Sequence, residues 1–477
     1  MNRYCTAVLA LFLTAGLMLP GSALADDPEP ADDSTNATSL VANAWESDNT
    51  TAAPQQDEPT LDVSINGSLR FNALFRSYGT AFEEGNDRVL GDGGFTFDTF
   101  RIGASGSYGG LIFDAEYAVY PESFGGLFLH HGWAGYEFSD SRQIQVGVSQ
   151  VPFGIQPYAS SSWFFNSSYY VGLEDDYDAG IKAMFTPGNW DIQGAYYMNA
   201  EQTDFFAGQN FSRYSYDVAP VSAANYQVVP GQAAVDSLPS VTGNGARPDI
   251  TEQHQFNVKV GYTFDHGDLG FTKIGVSGQR GQLQNLNTGN TDWHAAYAAH
   301  FQGRYGGFEA KLQFAQQELN APLNDQERAN FQTSQQLENQ DDDGAPGPEG
   351  NISGVDYAAD DFVVMGAYAF PQRVAAKHTV YSSSLAYHIP VNAGPISKIK
   401  PYYDFSLVTK DVDAWNDNAT HDIGFLTTAG PLFVYTDLNI SKGHPFNHPA
   451  DNFASVMAEN NDNEWRTAFN LNIGIYF

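Results

Sequence analysis

The chain has a single cysteine, few charges and no long apolar run past its first residues, and each scarcity excludes a class. Cys5 lies in MNRYCTAVLALFLTAGLMLPGSALA, which carries a basic Arg3, an apolar core from Ala7 to Leu19 and the small-residue site Ala23-Leu24-Ala25. That pattern is a secretory signal cut after Ala25, so residues 1–25 and the cysteine leave the mature chain. Disulfides and thiolate metal centres are thereby excluded. Beyond the signal no apolar stretch reaches the ~20 residues that a membrane helix needs. An exported chain without a helical anchor is periplasmic, secreted, or a barrel in the outer membrane. Charged residues are only 16% while aromatics are 14%, a balance suited to the aromatic girdles of a membrane barrel. Basic residues number 22 against 56 acidic ones, for a net charge of −34. Such a field repels nucleic acid and other polyanions, and it also suits an exterior facing salty water.

What is present is alternation. The stretch Glu464–Phe477, EWRTAFNLNIGIYF, places Trp465, Thr467, Phe469, Leu471, Ile473, Ile475 and Phe477 on one side. Arg466, Ala468, Asn470, Asn472 and Gly474 fall on the other. Successive strand side chains point to opposite faces, so one face is oily and the other wet. A strand closing on a terminal Phe is typical of bacterial outer-membrane β-barrels, which this stretch resembles. Upstream, residues 26–60 are rich in Asp, Glu, Pro, Ser and Thr without one Lys or Arg. They lack the apolar content to order themselves and read as a disordered acidic periplasmic extension.

From Leu61 to Phe477, segments of ~10 residues with alternating polarity recur, as a membrane barrel requires. Sixteen strands are predicted, beginning with Leu61–Tyr78 and ending with Glu464–Phe477. Tight connections such as Gly109-Gly110, Pro187-Gly188 and Gly306-Gly307 alternate with long ones such as Glu201–Glu252 and Asn320–Ala376. That asymmetry fits short periplasmic turns and long outer loops, with both termini on the short-turn side. The apolar run Phe362–Phe370 breaks this parity if counted as a strand, and is expected as a loop segment folded into the mouth. The fold expected is an all-β transmembrane antiparallel β-barrel, 16 strands, with an inward-folded third extracellular loop.

Sixteen strands leave an aqueous lumen, and the third loop, Pro152–Asp176, is the candidate constriction. Tyr158, Trp163, Phe164, Phe165, Tyr169 and Tyr170 are costly to leave in water, so the loop is expected against the inner wall. Its end carries Glu174, Asp175, Asp176 and Asp178.

The stretches VGVSQVPFG (Val146–Gly154) and YYVGLEDDYDAGIK (Tyr169–Lys182) resemble the strand-loop-strand of the phosphate-selective porin O and P family. The resemblance extends over most of the mature chain and implies a sixteen-stranded trimer with anion uptake through basic constriction residues. This sequence departs from that pattern: no Lys or Arg lies between Gln143 and Ile181, where the four acids cluster.

Alternation also predicts lumen charges: Arg70, Arg101, Lys182, Lys259, Arg304, Lys311, Lys398, Lys400 and Arg466, with Asp114 and Glu116 among the acids. Two readings stand side by side. The cations could face loop acids and set a transverse field across the pore, or they could be paired in salt bridges. Arg101 and Lys182 are the cations singled out. Competing chemistries are weak. The histidines lack metal-ligand spacing, no motif orients a nucleophile, and the acidic runs Asp341–Gly344 and Asp411–Asn418 match no EF-hand. The expectation is a weakly selective, non-enzymatic diffusion porin in a Gram-negative outer membrane. It would contact lipid, pass small hydrophilic solutes or ions, form a homotrimer and need no cofactor or metal. The alternatives are an anion- or phosphate-selective porin, and a carbohydrate-selective porin using the loop aromatics as a stacking surface.

Overall fold

The alternating segments pair in sequence order into one sheet that closes on itself. The computed structural model describes residues 59–77, 93–121, 124, 126–201, 203–204, 208–209, 213–219, 249–329, 358–368, 370–448, 456–459 and 463–477. The signal, nearly all of the acidic extension and Asp341–Gly344 lie outside the described residues. The first eight barrel strands are β1 Asp62–Arg76, β2 Gly93–Tyr108, β3 Leu111–Val119, β4 Leu127–Ser139, β5 Arg142–Gln150, β6 Tyr177–Phe185, β7 Trp190–Ala200 and β8 Ile250–Asp265. The next four are β9 Gly270–Asn285, β10 Thr291–Tyr305, β11 Phe308–Leu319 and β12, which is Lys377–Tyr387 continued by Ile389–Ala393. The last four are β13 Ile396–Lys410, β14 Asn418–Ala429, β15 Leu432–Lys442 and β16 Arg466–Tyr476. Both pieces of β12 pair with β13, so the seventeen sheet segments make sixteen strands.

Every strand is antiparallel to its neighbours, and β1 pairs with both β2 and β16. The seam ends in a reciprocal pair: Gly67 N–H donates to the Phe477 carbonyl at 2.8 Å, and Phe477 N–H returns to Gly67 at 2.9 Å. Only glycine fits at 67, because a Cβ there would stand 2.6 Å from the Arg101 carbonyl and 2.9 Å from the Phe477 ring. The expected parity holds through the wall. On β16, Phe469 and Ile475 are exposed while Ala468, Asn470 and Asn472 are buried. On β8, Phe256 and Val258 are exposed while Asn257 and Lys259 are buried. The outward side chains are thus apolar and the inward ones polar, as a lipid-facing barrel requires.

The interior holds a second sheet. Residues Arg213–Val218 of the fourth loop pair antiparallel with Phe362–Tyr368 of the sixth, which pairs with Phe370–Ala375. Arg213–Val218 and Phe362–Tyr368 are buried throughout. The run is therefore no barrel strand, as its parity required, but its described part Phe362–Tyr368 is extended and paired rather than irregular. Its ladder partner is in another loop, which satisfies backbone groups that burial would otherwise leave open. Arg373 of this sheet also meets Glu459 of the eighth loop at 3.0 Å, both buried.

Gly180 tests the register. It sits beside a bulge in β6, and a Cβ there would approach the backbone Tyr196 carbonyl to 2.1 Å. At Gly194, one strand over, the nearest atom would be 3.9 Å away. Gly180→Ala is expected to cost ~1–3 kcal/mol of strain and to reduce the compact, unheated-gel form after refolding, whereas Gly194→Ala folds like the parent. Equal folding of the two variants would reject this register.

Candidate functional site

A cavity of about 360 Å³ lies inside the barrel, bounded by β1, β2, the third loop and β15–β16. Along β1 its wall runs Ser68, Arg70, Asn72, Leu74, Arg76, a rise of roughly 26 Å along the strand. It therefore follows the wall from near the tight-turn rim, where Ser68 pairs with Tyr476, towards the long-loop rim. Its charged lining is Arg70, Arg76, Arg101, Lys311 and Lys400 against Asp98. In a chain of net charge −34 the cavity is basic.

The third loop forms the facing wall, and its hydrogen bonds run to side chains on strands far around the barrel. Gly154 N–H donates to Ser277 Oγ of β9 at 2.9 Å and Ile155 N–H to Gln313 Oε1 of β11 at 2.7 Å. Ser161 and Ser162 N–H both donate to Asp404 Oδ2 of β13, at 2.8 and 2.7 Å, and Ser167 N–H to Ser406 Oγ. Lys259 Nζ donates to Gln156 Oε1 at 2.6 Å, and Lys311 Nζ to the Tyr158 carbonyl at 3.1 Å. Inward wall residues thus clamp the loop's backbone as well as lining water.

Of the loop aromatics, Tyr158, Trp163, Phe165, Tyr169 and Tyr170 border the cavity together with Ser160, Ser161 and Ser162. Phe164 is fully buried against Trp163 and His444. The loop acids lie elsewhere. Asp175 Oδ2 accepts from Tyr158 at 2.9 Å and from Tyr214 at 2.8 Å. Glu174 accepts from Asn166 Nδ2 at 2.8 Å, and burial pushes its carboxyl up to about 8 despite that bond. Asp176 and Asp178 are buried at the loop's root. What faces the basic wall is hydroxyls and rings.

Many of the lumen charges pair with one another. Arg70 meets Asp98 at 3.2 Å, and Lys311 meets Glu309 at 3.6 Å. Arg101 is a hub: it reaches Glu116 at 3.2 Å, Tyr120 Oη at 3.2 Å and Tyr214 Oη at 3.1 Å. Lys182, away from the cavity, donates to the Gln150 carbonyl at 3.0 Å. Asp114 stands 3.2 Å from His131. Lys398 is buried near the turn rim, and the half-buried Arg304 and Arg466 sit at opposite rims, with Arg466 against Glu464.

Sequence reasoning missed three contributors. Asp98 binds both Arg70 and Asn472. A bulge in β4 opposite Glu116 and Tyr117 brings the successive rings of His130 and His131 together, with nitrogens 2.8 Å apart. A His–His doublet inside an alternating strand was the available signal for that bulge. Tyr214 comes from the inner sheet, whose alternating RYSYDV was legible as a strand but not assignable to a partner.

No protein-family model matches the chain, and no curated protein matches it. Among the solved structures similar in outline are three porins and channels. An anion-selective porin from Comamonas acidovorans is 12% identical, over 88% of this chain and 100% of that one, with a TM-score of 0.47. The outer membrane channel DcaP of Acinetobacter baumannii is 9% identical, over 90% and 100%, also with a TM-score of 0.47. OmpF of Salmonella typhi in complex with daunomycin is 11% identical, over 89% and 99%, again with a TM-score of 0.47. The class defined here, a closed sixteen-strand antiparallel barrel, rests on the strand pairing of this chain itself.

Glu174 gives a pH test. Its folded-state carboxyl is raised from about 4.5 to about 8, so the folded protein holds a proton that the unfolded chain releases. Stability from this group is full below the lower value and is lost as pH rises through the upper one. Glu174→Gln is expected to flatten the fall in melting temperature between pH 5 and pH 8. Identical slopes in parent and variant would show that Glu174 is already ionised.

Proposed function

We propose that this protein is an outer-membrane porin of a Gram-negative bacterium, a passive conduit for small hydrophilic solutes and ions with no catalytic step. The observation that carries the reading is the cavity following β1 through a closed barrel whose outer side chains are apolar. A solute moves down its gradient along that cavity, and the third loop narrows the passage. The motifs at Val146–Gly154 and Tyr169–Lys182 support kinship with the phosphate-selective porin O and P family in architecture. They do not supply its substrate.

Selectivity is weak and leans towards anions. The basic wall faces hydroxyls and rings rather than loop carboxylates, but Arg70 is paired with Asp98, and Arg101 and Lys311 are tied to neighbouring groups. Ion pairing of this kind leaves a modest net field rather than a tight anion site. Purified protein in planar bilayers should give ohmic steps and a mild chloride preference in a KCl gradient. Arg101→Gln with Lys400→Gln should move the reversal potential towards potassium. Neutralising Glu174, Asp175 and Asp176 together should leave it unchanged, since none of the three lines the cavity. Electrically silent protein would overturn the conduit, and block by low phosphate would overturn the weak selectivity.

Assembly as a homotrimer through the apolar outer wall belongs to the same proposal. Light scattering in mild detergent should give three copies per particle, and a monomer would count against it.

A further inference from the structure

Away from the cavity, the structure gathers five carboxylates around one buried guanidinium. Asp176 comes from the root of the third loop, Asp178 from β6, Glu201 from the residue after β7, Asp217 from the inner sheet and Glu252 from β8. Arg213 is fully buried among them and meets Asp217 Oδ2 at 3.2 Å. One guanidinium leaves most of the negative charge uncompensated. Like charges ~4 Å apart repel by ~4 kcal/mol even at an effective dielectric near 20.

Two further observations point to a missing partner. One ligand oxygen from each of Asp176, Asp178 and Asp217 lies within 4.8 Å of the other two, which matches oxygens spread around a single ion with bonds of ~2.3–2.6 Å. In addition, Asp176 Oδ1, Asp178 Oδ1 and Glu201 Oε2 are buried with no hydrogen-bond partner, in residues that are 7%, 2% and 7% exposed. Buried polar oxygens are normally satisfied, so orphans within one cluster mark a place for a partner that binds all of them. The donor set is entirely oxygen, without thiolate or imidazole, and so favours a hard ion over zinc or copper.

We propose that Asp176, Asp178 and Asp217 bind one Ca²⁺, with Glu201 beside them. The ion joins two pieces that the chain connects only at long range: the junction of the third loop with β6, which carries Asp176 and Asp178, and the inner strand Arg213–Val218. Bound Ca²⁺ locks the inner sheet against the wall and fixes where the third loop ends. The site is independent of the conduction reading, since none of its ligands borders the cavity.

The test uses the full mature protein, refolded in detergent and stripped with EDTA. Titration with CaCl₂ should show one saturable equivalent by calorimetry. Tb³⁺ should luminesce through nearby tyrosines and be displaced by Ca²⁺. Asp178→Asn with Asp217→Asn should weaken Ca²⁺ binding by about tenfold or more, while neutralising Asp341, Asp342 and Asp343 leaves it intact. CaCl₂ should raise the melting temperature of the parent more than MgCl₂ does, and the double variant should lose that increment. If the double variant does not fold, Asp176→Asn alone carries the same comparison. Absence of a saturable equivalent, or unchanged affinity in the folded ligand variants, would overturn the site and leave simple protonation of the carboxyls.

Discussion

Everything in this molecule depends on the requirement that backbone N–H and C=O groups be satisfied without water where they meet lipid. A sheet meets that requirement only by closing, because an open edge would carry a row of unpaired groups. Here the closure is the β1–β16 ladder from Ser68–Tyr476 to Arg76–Ala468, finished by the reciprocal Gly67–Phe477 pair. Once the ring is closed, parity is imposed on every strand. One set of side chains meets lipid and the alternate set meets the interior, and bulges are the places where the protein departs from that rule. The bulge beside Glu116 shows the consequence, turning the His130–His131 doublet into a contact with Glu116 and Asp114.

A ring of sixteen strands encloses more space than its own side chains fill. The protein fills much of it with loops, and buried loops must satisfy their backbone too. Two solutions coexist. The third loop borrows wall side chains, its amides donating to Ser277, Gln313, Asp404 and Ser406. The fourth and sixth loops build a small sheet and satisfy each other. Both solutions draw on inward polar residues that would otherwise only line water. This use of the wall accounts for the inward Ser382 and Ser384 of β12 and Ser406 of β13, each bonded to a serine of the third loop.

The cavity's charge follows from the same packing. Acids outnumber bases in the chain as a whole, but Asp175 is taken up by Tyr158 and Tyr214. Asp176 and Asp178 face the buried cluster around Arg213. The cations of β1, β2, β11 and β13 remain on the cavity wall, so net charge and local field have opposite signs.

The barrel itself was legible in the amino-acid sequence because its cause is local: a period of two along each strand and turn residues between strands. Phe469 and Ile475 outside with Asn470 and Asn472 inside needed no knowledge of neighbours, nor did the exclusion of Phe362–Phe370 from the wall by parity. The site was legible only in its members. Arg70, Arg101, Lys311 and Lys400 could be placed on the inner face, yet their partners could not, since Asp98, Tyr214 and the clamped third-loop amides are set by contacts between distant segments. The direction of Glu174, Asp175 and Asp176 was likewise beyond periodicity, because a loop has none. Alternation therefore determined the wall and the side each residue takes. Tertiary packing alone decided that the loop acids turn away from the cavity, that Arg213–Val218 and Phe362–Tyr368 share a sheet, and that the remaining space is basic. Those outcomes depend on which buried polar groups find partners, a condition that exists only when the whole interior is assembled.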